Sequence, residues 1–260
     1  MRIIVVPDTE AMGKLAADMV QKEMLRHANP VIGLATGGTP LPLYRELIRR
    51  NQAGELDFST AITFNLDEYV GLPPEHEQSY RHFMNRHLFD AINIDKANTH
   101  VPSGTATDYA AHCQEYEAAI VAAGGVDVQV LGIGSDGHIG FNEPGDSLCC
   151  RTHTVTLTEQ TIDDNARFFE KKEDVPIYAI TMGVGTILEA EEIVLVASGK
   201  AKAAAVASAV EGPVTSIVTA SALQLHPSVK VFLDTEAAGE LKMLDYYLWV
   251  QQKKPGAPRS

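Results

Sequence analysis

The residues able to do chemistry in this chain fall in a few short stretches. The densest runs Gly132-Ile133-Gly134-Ser135-Asp136-Gly137-His138-Ile139-Gly140-Phe141-Asn142-Glu143-Pro144, with four glycines, one histidine and two carboxylates. A histidine beside carboxylates suits proton transfer, because an acid partner fixes the imidazole tautomer and raises its pKa. Asp136, His138 and Glu143 could also ligate a metal. No HExxH pattern accompanies them, and His153 and His226 lie far off in sequence, so no metal is expected. Asp67-Glu68 ends an apolar run; a carboxylate there is either a general base with a raised pKa or a solvated loop acid. Thr36-Gly37-Gly38-Thr39 could cradle an anion, since glycines let backbone approach closely and a helix N-terminus offers free N–H groups. It could equally be a connecting turn. It matches neither the dinucleotide GxGxxG nor the Walker pattern, so no nucleotide is indicated. Lys200 and Lys202 open a helix, where cations oppose the dipole unless an anion is bound; for Lys200 an ordinary solvated lysine is the preferred reading. Arg167, in Asn165-Ala166-Arg167-Phe168-Phe169, is either a substrate-reaching residue on a mobile lid or a surface arginine.

The elements that must position these residues read as alternating strands and helices. Short β-branched runs at 3–6, 31–34, 61–66, 126–133, 177–182, 193–197 and 229–233 are predicted strands. Helical patterns fall at 8–27, 42–52, 108–123 and 200–210. This order implies an α/β fold: an open, mainly parallel sheet with helices on both faces, modified Rossmann-like. The polar stretches follow the second, third, fourth and sixth strands. In an open parallel sheet such loops share the carboxyl edge, where ligands bind. One catalytic domain is predicted over 1–252, with a mobile lid around 152–176 and a flexible tail at 253–260.

With 260 residues, 45% of them hydrophobic, the chain can bury a full core. A net charge of -13 argues against nucleic acid, whose phosphate backbone demands clustered Lys and Arg. No apolar run nears the ~20 residues that span a bilayer, and the first residues lack the features of a signal peptide. Three cysteines, Cys113, Cys149 and Cys150, form neither a disulfide framework nor a metal spacing. A cytoplasmic setting is expected.

Several of these stretches together resemble a known family. Thr63-Phe64-Asn65-Leu66-Asp67-Glu68-Tyr69-Val70-Gly71-Leu72 with Ser79-Tyr80, then Gly137 to Pro144, then Asn165 to Phe169, are similar to motifs of the glucosamine-6-phosphate deaminases, in the glucosamine/galactosamine-6-phosphate isomerase family. The resemblance runs from the first strand to residue 234. It implies isomerisation and deamination of glucosamine 6-phosphate to fructose 6-phosphate and ammonia, with no cofactor. It further implies that Asp67 moves the proton between C2 and C1, and that His138 serves ring opening with Asp136 and Glu143 orienting it. Arg167, Lys202 and the Thr36, Gly37, Gly38 and Thr39 loop would hold the 6-phosphate. Members with an allosteric site for N-acetylglucosamine 6-phosphate carry two basic residues after Arg151-Thr152; here they are His153 and Val155. The chain therefore resembles the shorter, unregulated branch, with His153 expected to be mostly neutral at pH 7. A small sugar phosphate is the expected partner, without membrane, and a homo-oligomer is left open. Galactosamine-6-phosphate deaminase and 6-phosphogluconolactonase are the near alternatives. A non-catalytic sugar-phosphate sensor is disfavoured by the strand at the start of the sequence and by the acidic balance.

Overall fold

The structure, a computed structural model, describes residues 1–253. In chain order the strands are β1 (Arg2–Val6), β2 (Val31–Leu34), β3 (Ile62–Asn65), β4 (Asp67–Tyr69), β5 (Thr99–His100), β6 (Val128–Leu131), β7 (His153–Thr156), β8 (Tyr178–Thr181), β9 (Glu192–Ala197) and β10 (Val229–Asp234). The helices are α1 (Thr9–Met24), α2 (Leu41–Gln52), α3 (Tyr80–His87), α4 (Tyr109–Ala122), α5 (Glu159–Ala166), α6 (Val184–Ile187), α7 (Ala203–Glu211) and α8 (Leu244–Lys253). Seven strands make one sheet in the order β1-β10-β9-β6-β2-β3-β5, and every pairing in it is parallel.

Strands covered on both faces read as continuous apolar runs, with successive side chains feeding opposite cores. In β9, Val194 and Val196 join the core that holds Met12, Ala16 and Val20 of α1 and Leu43 and Leu47 of α2. Leu195 between them joins Tyr116 and Ile120 of α4 and Val206 and Ala209 of α7. Helices therefore cover both faces, as expected. Local chemistry sets the helix starts. Asp8 caps α1 by accepting the Ala11 N–H at 2.8 Å, and Ser79 caps α3 by accepting that of His82 at 3.0 Å.

Two expected strands need correction. Residues 177–182 do not join the parallel sheet: β8 pairs antiparallel with β4 and β7 in a separate three-stranded sheet. The 61–66 run hands the chain from one sheet to the other. The Leu66 N–H donates to the Leu34 carbonyl of the large sheet, and the Leu66 carbonyl accepts the Met182 N–H. Asp67 is the first residue beyond that crossing. The predicted lid segment begins as β7, already paired, and continues through α5 and a 3-10 turn at Lys172–Asp174. The helix expected from residue 200 opens as a 3-10 turn, Lys200–Lys202, before α7. Of the predicted tail, Lys253 closes α8 and 254–260 lie outside the described residues.

The edge strand β1 is finished by the last helix. Gln251 of α8 accepts the Val5 N–H at 2.9 Å and returns a bond to the Val5 carbonyl at 3.0 Å. Among the described residues no helix is long and apolar enough to cross a membrane.

Candidate active site

Four neighbouring strands of the large sheet, β9, β6, β2 and β3, end at one cavity of about 280 Å³. Its walls carry Thr36 to Thr39 after β2, Asp67 after β3, Gly132 to Ser135 and His138 after β6 and Lys202 after β9, with Arg167 reaching in from the end of α5. Every sequence-derived phosphate-binding candidate lines this one space, as do Asp67 and His138. Asp136 and Glu143 stand behind His138. Lys200 is exposed and outside the lining, which fits its reading as a solvated lysine.

Asp67 is buried, and its Oδ1 has no hydrogen-bond partner. Burial, reinforced by the neighbouring Glu68, pushes its carboxyl up to about 8. Glu68 is buried too and sits at about 7; burial raises it, while the N–H groups of Tyr80, Arg81 and Tyr69 pull it back. These bonds pin the start of α3 to β4 and bring Tyr80 into the cavity wall. Tyr69, Tyr80 and Phe141 pack together, ring centroids 5.0–5.9 Å apart, and Tyr80 and Phe141 line the cavity with Asp67.

His138 faces the same cavity. Its Nδ1 lies 2.8 Å from Asp136 Oδ1 and 3.9 Å from Glu143 Oε2. Burial works against the Asp136 charge, yet hydrogen bonding and attraction from His138 hold that carboxyl below its usual value. With Nδ1 turned to the carboxylates, Nε2 is the nitrogen left to exchange a proton with a ligand. Gly134 makes the ring's position available: a Cβ there would lie 2.4 Å from the imidazole. Glu143 is held in turn by Thr158, the cap of α5, through its N–H and its hydroxyl, both at 3.2 Å. The ligand atoms of Asp136, His138 and Glu143 lie within 4.8 Å of one another, as do those of His27, Asp127 and Glu191 at the opposite sheet edge. In the first group the carboxylate oxygens already serve as acceptors for His138 and Thr158, an arrangement suited to orienting an imidazole.

At the other end of the cavity the lining is the Thr36–Pro40 loop that leads into α2. The helix has no side-chain cap and no acidic residue in its first turn, but the Leu41 N–H already donates to the Gly38 carbonyl and Pro42 has none, so the loop backbone faces the cavity. Gly37, at φ 94°, adopts a backbone that favours glycine, and a Cβ at Gly37 or Gly38 would project into open space. Lys202 is half-buried, and burial lowers its pKa. Arg167 is exposed at the rim, its guanidinium 4.8 Å from the Phe168 ring centroid.

Residues 8–231 match the family model described as glucosamine-6-phosphate isomerases/6-phosphogluconolactonase. The chain belongs to that family. A glucosamine-6-phosphate deaminase of Arthrobacter sp. (strain FB24) is 51% identical over 255 residues, 98% of each chain. One of Hahella chejuensis (strain KCTC 2396) is 51% identical over 253 residues, 97% of each. Among solved structures, a monomeric glucosamine-6-phosphate deaminase, called a missing link of the NagB superfamily, superposes with a TM-score of 0.91 at 44% identity, covering 92% of this chain and all of that one. A 6-phosphogluconolactonase from Thermotoga maritima superposes at 0.72 with 19% identity over 90% of this chain and 99% of that one, a likeness of fold alone.

Within the family frame, sequence reasoning passed over four contributors: Glu68 as an anchor for α3, Tyr80 as a wall, Thr158 as the holder of Glu143, and Asp164 on the cavity lining. Ser79 ahead of an amphipathic turn and Thr158 ahead of Glu159 were the available cap signals. His153 also departs from expectation. Bonding to the Cys150 side chain and to the Arg151 carbonyl, with Asp146 nearby, raises it to about 9, so it is protonated at neutral pH. Its Nε2 faces Asp146 Oδ2 at 3.6 Å, so the charge is answered within the segment.

Proposed function

We propose that this chain is a glucosamine-6-phosphate deaminase whose single-chain cavity opens, isomerises and deaminates the sugar by acid–base catalysis. The observation that carries the reading is a buried carboxylate at about 8, Asp67, sharing one cavity with a carboxylate-braced imidazole, His138. His138 moves a proton to the ring oxygen as the C1–O5 bond breaks. Asp67 takes the C2 proton and returns it at C1, turning the aldose end into a ketose-level imine. Water adds at C2, the C–N bond breaks, and ammonia and fructose 6-phosphate leave. A base poised near neutrality is what such a transfer demands. The Thr36–Thr39 loop, Lys202 and Arg167 hold the phosphate, binding energy applied away from the reacting carbons. No step calls for a metal or a cofactor.

Relatives at 51% identity over nearly the whole chain support the glucosamine substrate over its galactosamine epimer. A monomeric neighbour supports a site complete in one chain, and three unpaired cysteines support a cytoplasmic setting. In this reading α5 and the turn after it are the moving part of the lid, since β7 is fixed in the small sheet. Parallel assays of ammonia release from glucosamine 6-phosphate and galactosamine 6-phosphate, and of 6-phosphogluconolactone hydrolysis, with chelator present, test it. Ammonia from the glucosamine substrate, tracked by equal fructose 6-phosphate, is the expected result. Lactone hydrolysis without ammonia would overturn it.

A further inference from the structure

Asp164 stands on the last turn of α5 and lines the same cavity as Lys202, Arg167 and the Thr36–Thr39 loop. Both of its carboxylate oxygens are engaged. Oδ2 accepts the Ser135 hydroxyl at 2.5 Å, and Oδ1 accepts the Gln160 amide at 3.0 Å. Ser135 belongs to the loop that carries His138, so this bond spans from the catalytic loop to the helix that bears Arg167. The carboxylate also acts on Lys202: its attraction exceeds that of Asp136 and opposes both burial and the repulsion from Arg167.

A carboxylate aimed at an anion-binding cavity is an odd choice unless it has work there. Two cations in a half-desolvated space repel each other and pay for lost hydration, and a nearby negative charge offsets both effects. A phosphate drawn to the same cations meets that charge as a like charge. We propose that Asp164 is a built-in counter-ion with which bound phosphate competes, and that its bond to Ser135 ties α5 to the catalytic loop. Phosphate arrival and release of α5 are then one coupled event, and the affinity for the sugar phosphate and its phosphorylated product is held down. The inference rests on the reading of this cavity as a sugar-phosphate site and deepens it.

Inorganic phosphate is the probe, with its Kd taken by calorimetry and its Ki from competition against glucosamine 6-phosphate. Asp164→Asn removes the charge, keeps one acceptor oxygen for the Ser135 hydroxyl and turns an NH2 donor toward Gln160, whose amide can flip to accept it. It should tighten phosphate about tenfold. That gain should shrink to about twofold or less in a Lys202→Ala background, since the two charges act on each other. Ser135→Ala keeps the charge but breaks the tie, so it should tighten phosphate by about two- to fourfold, less than Asp164→Asn does, while amide exchange in α5 quickens. Asp164→Ser serves as a second charge-removing variant should the Asn protein not fold. Phosphate bound no tighter by the charge-removing variants, or tightened equally with and without Lys202, would overturn the counter-ion. Unaltered exchange in Ser135→Ala would overturn the tie. A wild-type protein that neither binds phosphate nor releases ammonia would instead bring down the sugar-phosphate reading itself, a result distinguishable from the others because it precedes any substitution.

Discussion

The two ends of the cavity are built on opposite principles. At the end that holds Asp67 and Glu68 both carboxyls are buried and kept from their preferred charge state, Glu68 locked to backbone N–H groups and Asp67 with its Oδ1 left without a partner. At the end proposed for the phosphate Arg167 is exposed, Lys202 half-buried, and the Thr36–Pro40 loop completes the lining. Catalytic groups must be held in an uncomfortable environment to be reactive at neutral pH, whereas a phosphate is bound well by groups that stay comfortable. The difference teaches that stability is given up at one end only.

The sharpest way to break this comparison is Asp67→Asn. As the proton carrier Asp67 should be worth about 10²–10⁴ in kcat, so a variant keeping half its activity would remove the base assignment. The same change should stabilise the fold. The native Asp67 holds its proton up to about 8, against 3.8 for an unperturbed Asp. Its contribution is therefore most favourable at low pH, declines as pH rises from about 4 to 8, and becomes a full penalty above. Denaturant unfolding at pH 9 should show Asp67→Asn more stable than wild type by up to about 6 kcal/mol, and the gap should narrow toward pH 5. In wild type kcat/KM should climb with pH through a midpoint near 8 to a plateau above about 9.

A smaller effect is expected at the phosphate end. Lys202→Ala should lower kcat/KM for glucosamine 6-phosphate by about 10–100-fold, and Arg167→Ala, exposed at the rim, by less. Neither should alter the fold's pH dependence or any weak turnover of unphosphorylated glucosamine. Equal losses on both sugars would place the phosphate elsewhere.

The smallest effect should be none at all. N-acetylglucosamine 6-phosphate should not activate, and rate curves should be hyperbolic with a Hill coefficient of about one. The reason is not the neutral His153 expected from sequence. His153 is protonated, but Asp146 answers its charge and Val155 supplies none. A sigmoidal curve made hyperbolic by that compound would reveal an effector site.

The large sheet was legible because its strands are buried on both faces and so read as unbroken apolar runs. β4, β5 and β7 were not, since two or three residues such as Thr99–His100, or a half-exposed run such as His153–Thr156, leave no such run. The helix α5, Glu-Gln-Thr-Ile-Asp-Asp-Asn-Ala, is too polar to announce itself. Site residues were visible where they follow strands, because the carboxyl edge is a topological address. Tyr80 and Asp164 were not, because they reach the cavity from elements whose placement only packing decides.

The bond pair between Gln251 and Val5 bears on how the chain is made. Strand β1 has one partner in the sheet, β10, which is made long after it, and that register joins Arg2 to Lys230. Its other edge is covered by a side chain near the end of α8. The segment Arg-Ile-Ile-Val-Val must therefore stay unpaired while the residues between it and β10 are made, a β-prone stretch of the kind that recruits neighbouring chains. Loss of α8 would leave that edge open for the protein's lifetime, and the first sign would be association in crowded, nascent-chain-rich conditions rather than a weaker catalyst.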